Sequence, residues 1–307
     1  MRAVAIINPT AGSRQAGKLW PEAAGVLKAA WPGLVVRETR QPGHAAILAA
    51  EAIAAGAERL IICGGDGTIG EVVDGLLAAG DPPPAIGIIP AGTGADFVRT
   101  IGRPASSAEA AARIVSGVPV RIDAGRVTYT TDHGGTGVRH FINAASLGVS
   151  GPTARAVNAR KRKGGGKVAF LAATVAELIR YRFQDVLIAV DGAAPMEARI
   201  ALVAVCNGTS FGGGMRIAPN AAPDDGVFDV VVVRAANKRR LLFQLRRLYR
   251  GTHVGLPEVT ILGARRVTVE PSARGNGGAI LVEADGECFG RCPATFEMLP
   301  GALQLVR

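Results

Sequence analysis

Two glycine-rich segments and a third polar segment with one glycine each follow a short apolar run, which is the arrangement found in loops that bind phosphate. They span residues 8–13, 64–68 and 90–96, and the apolar runs before them span 3–7, 59–63 and 85–89. Glycine permits positive φ and lets a phosphate approach the backbone amides. A helix that follows such a loop points its N–H groups and its positive dipole end at that phosphate. Thr68 and Thr93 add hydroxyl donors, so we predict that these loops form a phosphate site.

The loops alone do not define the nucleotide. None is a Walker A motif, because no Gly-Lys-Ser/Thr follows. Residues 65–70 match the dinucleotide pattern Gly-x-Gly-x-x-Gly, but Ile88, Ile89 and Pro90 stand where its ribose-binding acid should lie, about 20 residues further on. A single loop of this kind is also common as a tight turn between strand and helix. Three of them at one sheet edge favour a ligand site.

Two acidic turns could complete a site for phosphoryl transfer. The Asp-Gly-Glu turn (residues 285–287) ends a strand-like run and could project a carboxylate that accepts a proton. The Asp-Asp-Gly turn (residues 224–226) could hold magnesium through a carboxylate and loop carbonyls. Taken alone, each is more typical of an ordinary turn. The four histidines are scattered, and none is assigned a catalytic role.

The elements that must position these residues fall into two parts. Up to about residue 118, strand-like runs without polar alternation are each followed by a helical stretch, which indicates a parallel sheet covered on both faces. Beyond it, many strand-like runs are interrupted by only two long helical stretches, 166–181 and 236–250, which indicates a β-sandwich. We expect an α/β domain and a β-rich domain with a cleft between them.

Composition narrows the class of protein. The 307 residues are 48% hydrophobic and 5% aromatic, which suits a core of Ala, Val, Leu and Ile. No run of 18 or more apolar residues is present, and the N-terminus reads as a first strand and not as a signal peptide. Cys63, Cys206, Cys288 and Cys292 fit a reduced cytoplasm, and their spacing does not suit zinc.

The formal net charge of +10 predicts attraction to polyanions. Basic residues concentrate in 155–167 and in 234–250, where they alternate with leucines and Phe243. Such stretches are usually solvated helix faces, but they also suit docking to an anionic membrane. Nucleic acid is the competing partner, and no helix-turn-helix, zinc finger or stacking platform is present to support it.

At this point the ordered motifs resemble the diacylglycerol kinase catalytic domain family, which includes bacterial lipid kinases, sphingosine kinases and ceramide kinases. The resemblance begins with residues 64–76 and continues with 90–99. It then runs through the segments 143–148, 207–214, 218–226, 251–253 and 285–287, and so covers nearly the whole chain. This ordered series is far more specific than its first loop alone, which distantly related NAD kinases share.

The resemblance implies an N-terminal NAD-kinase-like α/β domain (1–122) and a C-terminal β-sandwich domain (123–307), whose tail is free to return to the first domain. ATP would bind in the cleft between them. Residues matching nucleotide contacts are Asn8, Pro9, Thr10, Ala11, Gly12, Thr39, Gly64, Gly65, Asp66, Gly67, Thr68, Ile69, Gly70 and Thr93.

The same resemblance assigns the catalytic groups. Glu287 matches the general base that accepts the lipid hydroxyl proton, and Asp123 matches an acidic residue of the same site. Asp225, with the carbonyls of Ala222 and Val227, matches a magnesium site. Two departures touch the nucleotide loops, because Ala95 and Gly70 stand where asparagine is usual.

We therefore expect a kinase that transfers the ATP γ-phosphate to a lipid hydroxyl, with diacylglycerol or a related glycerolipid as acceptor and Mg²⁺ as cofactor. Cytoplasmic location, peripheral contact with anionic membrane and no nucleic-acid partner are expected as well, and a homodimer is compatible with the sequence. The alternatives are a non-catalytic nucleotide-binding regulator and a soluble kinase of the NAD type.

Overall fold

The computed structural model describes residues 1–80, 82–92, 94–160, 167–275 and 277–307. In the first part of the chain, strands and helices alternate as predicted. The elements are β1 (Ala3–Ile7), α1 (Ala11–Ala30), β2 (Val35–Glu38), α2 (His44–Ala54), β3 (Arg59–Gly64), α3 (Asp66–Ala78), β4 (Ala85–Pro90), α4 (Asp96–Ile101) and α5 (Ser107–Ser116).

The N-terminal sheet is parallel, with the order β4-β3-β1-β2. β1, β3 and β4 are almost entirely buried, because helices cover the sheet on both faces. The side chains of α2 and α3 form one hydrophobic layer with the strands, and those of α1 and α5 form the other. Continuous apolar runs are what a strand buried on both faces requires.

The C-terminal part is dominated by strands. Its elements are β5 (Pro119–Thr130), β6 (Thr136–Phe141), β7 (Ala144–Gly148), α6 (Ser150–Arg160), α7 (Lys167–Arg180), β8 (Gln184–Val190), β9 (Met196–Cys206), β10 (Phe228–Arg234), α8 (Lys238–Arg250), β11 (Val259–Ala264), β12 (Arg266–Pro271), β13 (Leu281–Ala284) and β14 (Glu287–Val306).

Antiparallel ladders join six of these strands into a closed circuit, β7-β13-β14-β12-β8-β9 and back to β7. The circuit closes because β9 pairs with β8 along its first residues and with β7 and β10 along its last ones. One continuous core fills the interior, and Phe141 and Phe228 stack within it with their ring centroids 5.6 Å apart. Closure leaves few free strand edges in this part of the molecule.

Two long strands connect the parts. The beginning of β5 pairs with the end of β14 at 303–306, and this end of β14 pairs in parallel with β4 through Leu305 and Ile86. The rest of β5 pairs with β14 at 291–299 inside the sandwich, and the register shifts between Leu299 and Leu303. The C-terminal residues thus extend the N-terminal sheet. The shift lies beside residues 122 and 123, which we retain as a proposed domain boundary.

Several elements differ from the sequence prediction. β14 extends from Glu287 to Val306, although only its middle was predicted, because Pro300 and Gly301 look like a strand end and are accommodated at the register shift. The glycines at 164–166 suggest a mobile loop after the basic cluster in 155–167, but α6 (Ser150–Arg160) makes the first part of that segment helical. Residues 161–166 lie outside the described residues. β11 was missed because it follows α8 with only a short 3₁₀ turn between.

None of the helices in the described ranges is both long enough and apolar enough to cross a bilayer.

Candidate active site

The three predicted loops meet at the carboxyl edge of the parallel sheet, and glycines allow their backbones to touch. Gly12 has φ +60°, and a side chain there would place its Cβ 1.9 Å from the carbonyl oxygen of Ala91. A Cβ on Gly92 would lie 2.7 Å from Cα of Gly65. Only glycine fits at such distances. The loops therefore form one continuous backbone surface.

Side chains fix the same surface. Nδ2 of Asn8 donates to Oγ1 of Thr68 (3.0 Å), and Oδ1 of Asn8 accepts hydrogen bonds from the amide and the hydroxyl of Thr10. The amide of Thr39 donates to the carbonyl of Ile7 (2.8 Å), which brings the end of β2 to the same edge. α3 begins at this point, with Gly65 as its N-cap. The first turn of α3 therefore directs its amides into the cleft.

Asp66 and Asp96 link the loops to the C-terminal part. The amide of Asp96 donates to Oδ1 of Asp66 (2.8 Å), and Oδ2 of Asp96 accepts from the amide of Gly213 (2.8 Å), which lies beyond β9. Burial, and secondarily the charge of Asp96, raise the pKa of Asp66 to about 6. Asp66 lies in the first turn of the phosphate-facing helix, so a bound cation would return it to the ionised form.

The Asp-Gly-Glu turn faces the N-terminal half of α3. Asp285 accepts hydrogen bonds from the amides of Ile142, Asn143 and Ala144 at 3.0–3.1 Å, and burial raises its pKa to about 7. A Cβ on Gly70 would lie 3.1 Å from Cβ of Asp285. The glycine that replaces the usual asparagine thus lies directly beside this turn and allows α3 to pack closely against it.

Glu287, the predicted general base, lies across the cleft from the phosphate loop. Its Oε1 is 3.7 Å from the position of a Cβ on Gly67, and its Oε2 is 3.5 Å from Nη1 of Arg139. Arg139 also approaches Asp74 of α3, with Nε 3.8 Å from Oδ2, and lies over the ring of Phe289. The guanidinium therefore connects Glu287 to α3. Arg139 was not identified from the sequence, because nothing in the composition of β6 marks it.

A second buried carboxyl stands two strand positions before Asp285. Glu283 accepts hydrogen bonds from the hydroxyl of Ser146 and from the amide of Gly286, and the hydroxyls of Ser146 and Ser150 are 2.7 Å apart. Burial raises the pKa of Glu283 to about 7. One signal for this group is present in the sequence, because the acidic residues 283, 285 and 287 alternate at the end of a strand-like run.

One cavity of about 950 Å³ joins these groups. Its polar end is formed by the loops and by the acidic groups just described. Its other end is apolar and extends between the sandwich and the helices α6, α7 and α8. The main apolar side chains of that end are Phe170, Leu178, Leu202, Leu241, Leu245 and Leu248. The cavity thus offers a polar site and an apolar pocket in continuity, and no sequence motif had predicted the pocket.

The charges lining the cavity are unequal. Its described lining contains six carboxyls, from Asp66, Glu71, Asp96, Glu283, Asp285 and Glu287. Among the described residues, Arg40 is the one guanidinium in that lining, and His253 is neutral at pH 7 because burial lowers its pKa. Although burial keeps Glu283 and Asp285 partly protonated, the lining is acidic, and a divalent cation bound with a nucleotide triphosphate would offset its repulsion from the ionised carboxyls.

Most of the predicted nucleotide residues border this cavity. Those that line it are Asn8, Thr10, Ala11, Gly12, Thr39, Gly65, Asp66, Gly67 and Thr68. Pro9, Gly64, Ile69 and Gly70 lie in the same loops or in the first turns of α3 without lining it. Thr93 lies outside the described residues, so its predicted contact stays a prediction.

Asp123 lies away from the cavity. Its Oδ1 accepts from the amide of Gly301 and its Oδ2 from the amide of Gly226, both at 2.7 Å, so both carboxylate oxygens hold backbone turns. Gly301 lies at the register shift of β14, where the two parts join. These contacts favour a positioning role, and the catalytic role of Asp123 stays a prediction.

The predicted metal residues lie in the turn beside Asp123. Asp225 is exposed, its Oδ1 accepts from the amide of Val227 (3.1 Å), and its charge raises the pKa of Asp229, after the larger effect of burial. A carboxylate with the carbonyls of Ala222 and Val227 is a hard oxygen donor set that suits magnesium. The described residues contain no group of three or more His, Cys, Asp or Glu side chains placed to hold a metal.

Comparison with known proteins agrees with this geometry. Residues 2–127 match the diacylglycerol kinase catalytic domain, and residues 143–307 match the YegS C-terminal NAD kinase beta sandwich-like domain. A protein named diacylglycerol kinase from Mycobacterium tuberculosis is 33% identical over 307 residues, which is 100% of this chain and 95% of that protein.

Solved structures show the same architecture. One described as a diacylglycerol kinase from Bacillus anthracis superposes with a TM-score of 0.73 at 25% identity, covering 99% of this chain and 96% of the other. Yeast NADH kinase, solved with NADH, gives a TM-score of 0.57 at 12% identity over 100% of this chain and 82% of its own, which shows a shared fold.

The two family models and the full-length relative together place the chain among the lipid kinases, whereas the architecture alone is shared with an NADH kinase. The chain belongs to the diacylglycerol kinase catalytic domain family and is an ATP-dependent lipid kinase. The family, the fold and the kinase activity predicted from the sequence are thereby confirmed.

Proposed function

We propose that the protein transfers the γ-phosphate of ATP to the free hydroxyl of a diacylglycerol. The observation that carries the proposal is the continuous cavity of about 950 Å³, whose polar end is built from the predicted phosphate-binding loops and whose other end is apolar. A soluble acceptor such as NAD has no use for the apolar end. Acyl chains would fill it and leave the glycerol hydroxyl near Glu287.

In the proposed reaction the loop amides and the first turn of α3 bind the phosphates. Glu287 accepts the proton of the glycerol hydroxyl as that oxygen forms a bond to the γ-phosphorus. The bond between the γ-phosphorus and the bridging oxygen breaks, and ADP leaves with that oxygen. Arg139, 3.5 Å from Glu287, holds the carboxylate towards Gly67.

Magnesium fits the polar end of the cavity because carboxylates outnumber cationic groups there. Mg²⁺ bound with ATP would offset the phosphate charge, and Asp66 is the carboxylate in the first turn of α3 that lines this end of the cavity. The turn at Ala222, Asp225 and Val227 is a separate proposed magnesium site, which would stabilise the junction held by Asp123. We further propose that the enzyme acts at the cytoplasmic surface of a membrane as a peripheral protein.

The test is incubation of the purified protein with radiolabelled ATP, Mg²⁺ and a lipid panel of diacylglycerol, monoacylglycerol, ceramide and sphingosine. Diacylglycerol should give labelled phosphatidic acid, and NAD without lipid should give no labelled product. Transfer to another lipid of the panel with none to diacylglycerol would refute the proposed acceptor while leaving the kinase class intact. Omission of Mg²⁺ should abolish transfer.

A further inference from the structure

Helix α8 presents two different faces. Leu241, Leu245 and Leu248 face the protein and line the apolar end of the cavity. Phe243 points the opposite way, and 84% of its surface is exposed. A large aromatic side chain with this exposure has no packing role in the chain itself. The outer face of α8 therefore needs an explanation separate from the stability of the fold.

Arginines surround Phe243 on that outer face. At 100° per residue, Arg239, Arg240, Arg246, Arg247 and Arg250 all lie within about 60° of Phe243 around the helix. All five are exposed, and α8 contains no acidic residue. We call Phe243 and these five arginines the arginine face. An ordinary solvated helix face mixes both signs of charge and lacks a central aromatic residue.

The charge of the arginine face is largely uncompensated. Arg240 pairs with Glu258, with Nη2 3.0 Å from Oε2. In the described parts of the chain, the other four guanidiniums have no acidic oxygen within 4.0 Å. The exposed apolar surface continues onto the end of α7, where Ile179 is 55% exposed and its carbonyl accepts a hydrogen bond from Nζ of Lys238 (2.6 Å).

We infer that the arginine face docks onto a bilayer containing anionic phospholipids, with Phe243 inserted between the headgroups. Guanidiniums bind phosphates in pairs of hydrogen bonds, and an aromatic ring gains from the apolar layer just beneath them. A nucleic acid offers the phosphates but no apolar layer for Phe243. The inference rests on the proposed function, since docking would place a lipid surface against the helix that covers the acyl end of the cavity.

The test measures co-sedimentation of the protein with vesicles of phosphatidylcholine and phosphatidylglycerol (3:1), and with phosphatidylcholine alone. The variant Arg246→Gln/Arg250→Gln should weaken binding to the anionic vesicles about 25-fold, since each basic residue at such a surface contributes about fivefold. Its matched control is Lys28→Gln/Arg103→Gln, which removes two exposed charges from the N-terminal domain and should leave binding within twofold.

Phe243→Ser tests the inserted side chain. It should weaken vesicle binding at high salt, where the arginines are screened, whereas Ile47→Ser, at another exposed apolar residue (53%), should not. Equal binding of Phe243→Ser and the unchanged protein would overturn the insertion. Retention on duplex DNA but not on vesicles at the same salt, or loss of a dimer in Phe243→Ser by sedimentation equilibrium, would overturn membrane docking.

Activity separates this inference from the proposed function. With a short-chain diacylglycerol in free solution, Phe243→Ser should phosphorylate at the unchanged rate, and its defect should appear only with long-chain diacylglycerol in vesicles. A protein that binds anionic vesicles through α8 but phosphorylates neither substrate would refute the proposed acceptor and leave docking supported. If Phe243→Ser phosphorylated both the short-chain and the vesicle-bound diacylglycerol at unchanged rates, docking would be refuted and the proposed acceptor would stand.

Discussion

At the scale of single residues, the site consists of carboxyls in contrasting environments. Glu287 is partly exposed beside Arg139, while Glu283 and Asp285 lie within the strand and turn that carry it. The buried pair accepts hydrogen bonds from backbone amides, which fixes the shape of the turn. Glu287 is therefore available for proton transfer, while Glu283 and Asp285 hold the turn that positions it.

The first prediction concerns Glu287. Glu287→Gln should lower kcat by about 10²–10⁴-fold, because a positioned base contributes that much to proton transfer. The KM for ATP should change little, since the loops are intact. Initial rates with labelled ATP and diacylglycerol measure the effect, with Glu270→Gln on an exposed strand position as the matched control. Near-normal kcat in Glu287→Gln would remove the residue from the proposed role.

The second prediction concerns Glu283 and pH. Its carboxyl has a pKa of about 7 in the folded chain and 4.5 as its ordinary value, so the folded chain binds the proton more tightly. The free energy of unfolding should therefore fall as the pH rises from about 4.5 to about 7, by roughly 3 kcal/mol from this group.

Glu283→Gln should flatten that decrease, because the amide does not titrate. Urea unfolding at pH 5, 6, 7 and 8 measures the effect, and Glu270→Gln should keep the slope of the unchanged protein. A slope that Glu283→Gln leaves unaltered would show that Glu283 does not titrate in this range.

At the scale of elements, the alternation of apolar runs and glycine loops predicted β1 to β4 and the helices α1 to α3 within a few residues, whereas α4 and α5 were not delimited. The nucleotide-binding half of the site could also be predicted, because the loops that follow parallel strands lie at the same edge of the sheet. The apolar end of the cavity was not predictable. Its lining comes from α6, α7, α8 and three strands that are distant in sequence, and no local pattern encodes their convergence.

The third prediction concerns the contact between the first and third loops. Gly12→Ala should lower the free energy of unfolding by at least about 1 kcal/mol, because alanine is strained at positive φ and its Cβ would overlap the carbonyl of Ala91. ATP binding should weaken with it. Gly25→Ala in the same helix α1, with no atom within 4 Å of the new Cβ, should stabilise by about 1 kcal/mol.

Thermal unfolding and ATP titration, applied to both glycine variants, provide the measurements. Equal effects of the two substitutions would show that the contact between Gly12 and Ala91 is required neither for stability nor for ATP binding.

At the scale of the whole molecule, the sequence predicted two domains and a cleft and left the C-terminal tail free to return to the first domain, but it did not predict which strands the tail would pair with. Only the middle of β14 reads as a strand, so the pairing of its end with β4 and β5 could not be anticipated in register. Long-range pairing depends on which strand edges remain available after the rest has folded. Leu303 and Leu305, both fully buried, belong to the hydrophobic core of the N-terminal part.

The fourth prediction follows from that junction. Leu305→Ala should lower the free energy of unfolding by about 2–5 kcal/mol, as large-to-small changes in a core do. ATP affinity should also fall, because β4 carries the third loop and pairs with β14 at this residue. Val118→Ala, at a residue that is 70% exposed, should change stability by less than about 0.5 kcal/mol. A loss of stability confined to the C-terminal part, with unchanged ATP affinity, would show that the end of β14 does not influence the third loop.

The uninterrupted course of β5 and β14 also has a mechanical consequence. Two domains joined by one flexible linker can rotate freely relative to each other. The N-terminal and C-terminal parts of this chain share the paired, twisted strands β5 and β14, so they can separate only if those strands bend. The paired strands β5 and β14 therefore favour one angle between the two parts of the molecule. Asp123 reinforces this junction through its hydrogen bonds to the amides of Gly226 and Gly301. We therefore expect the cleft to keep nearly the same width throughout the reaction cycle, so that the exchange of substrate and product depends mainly on what covers the cavity.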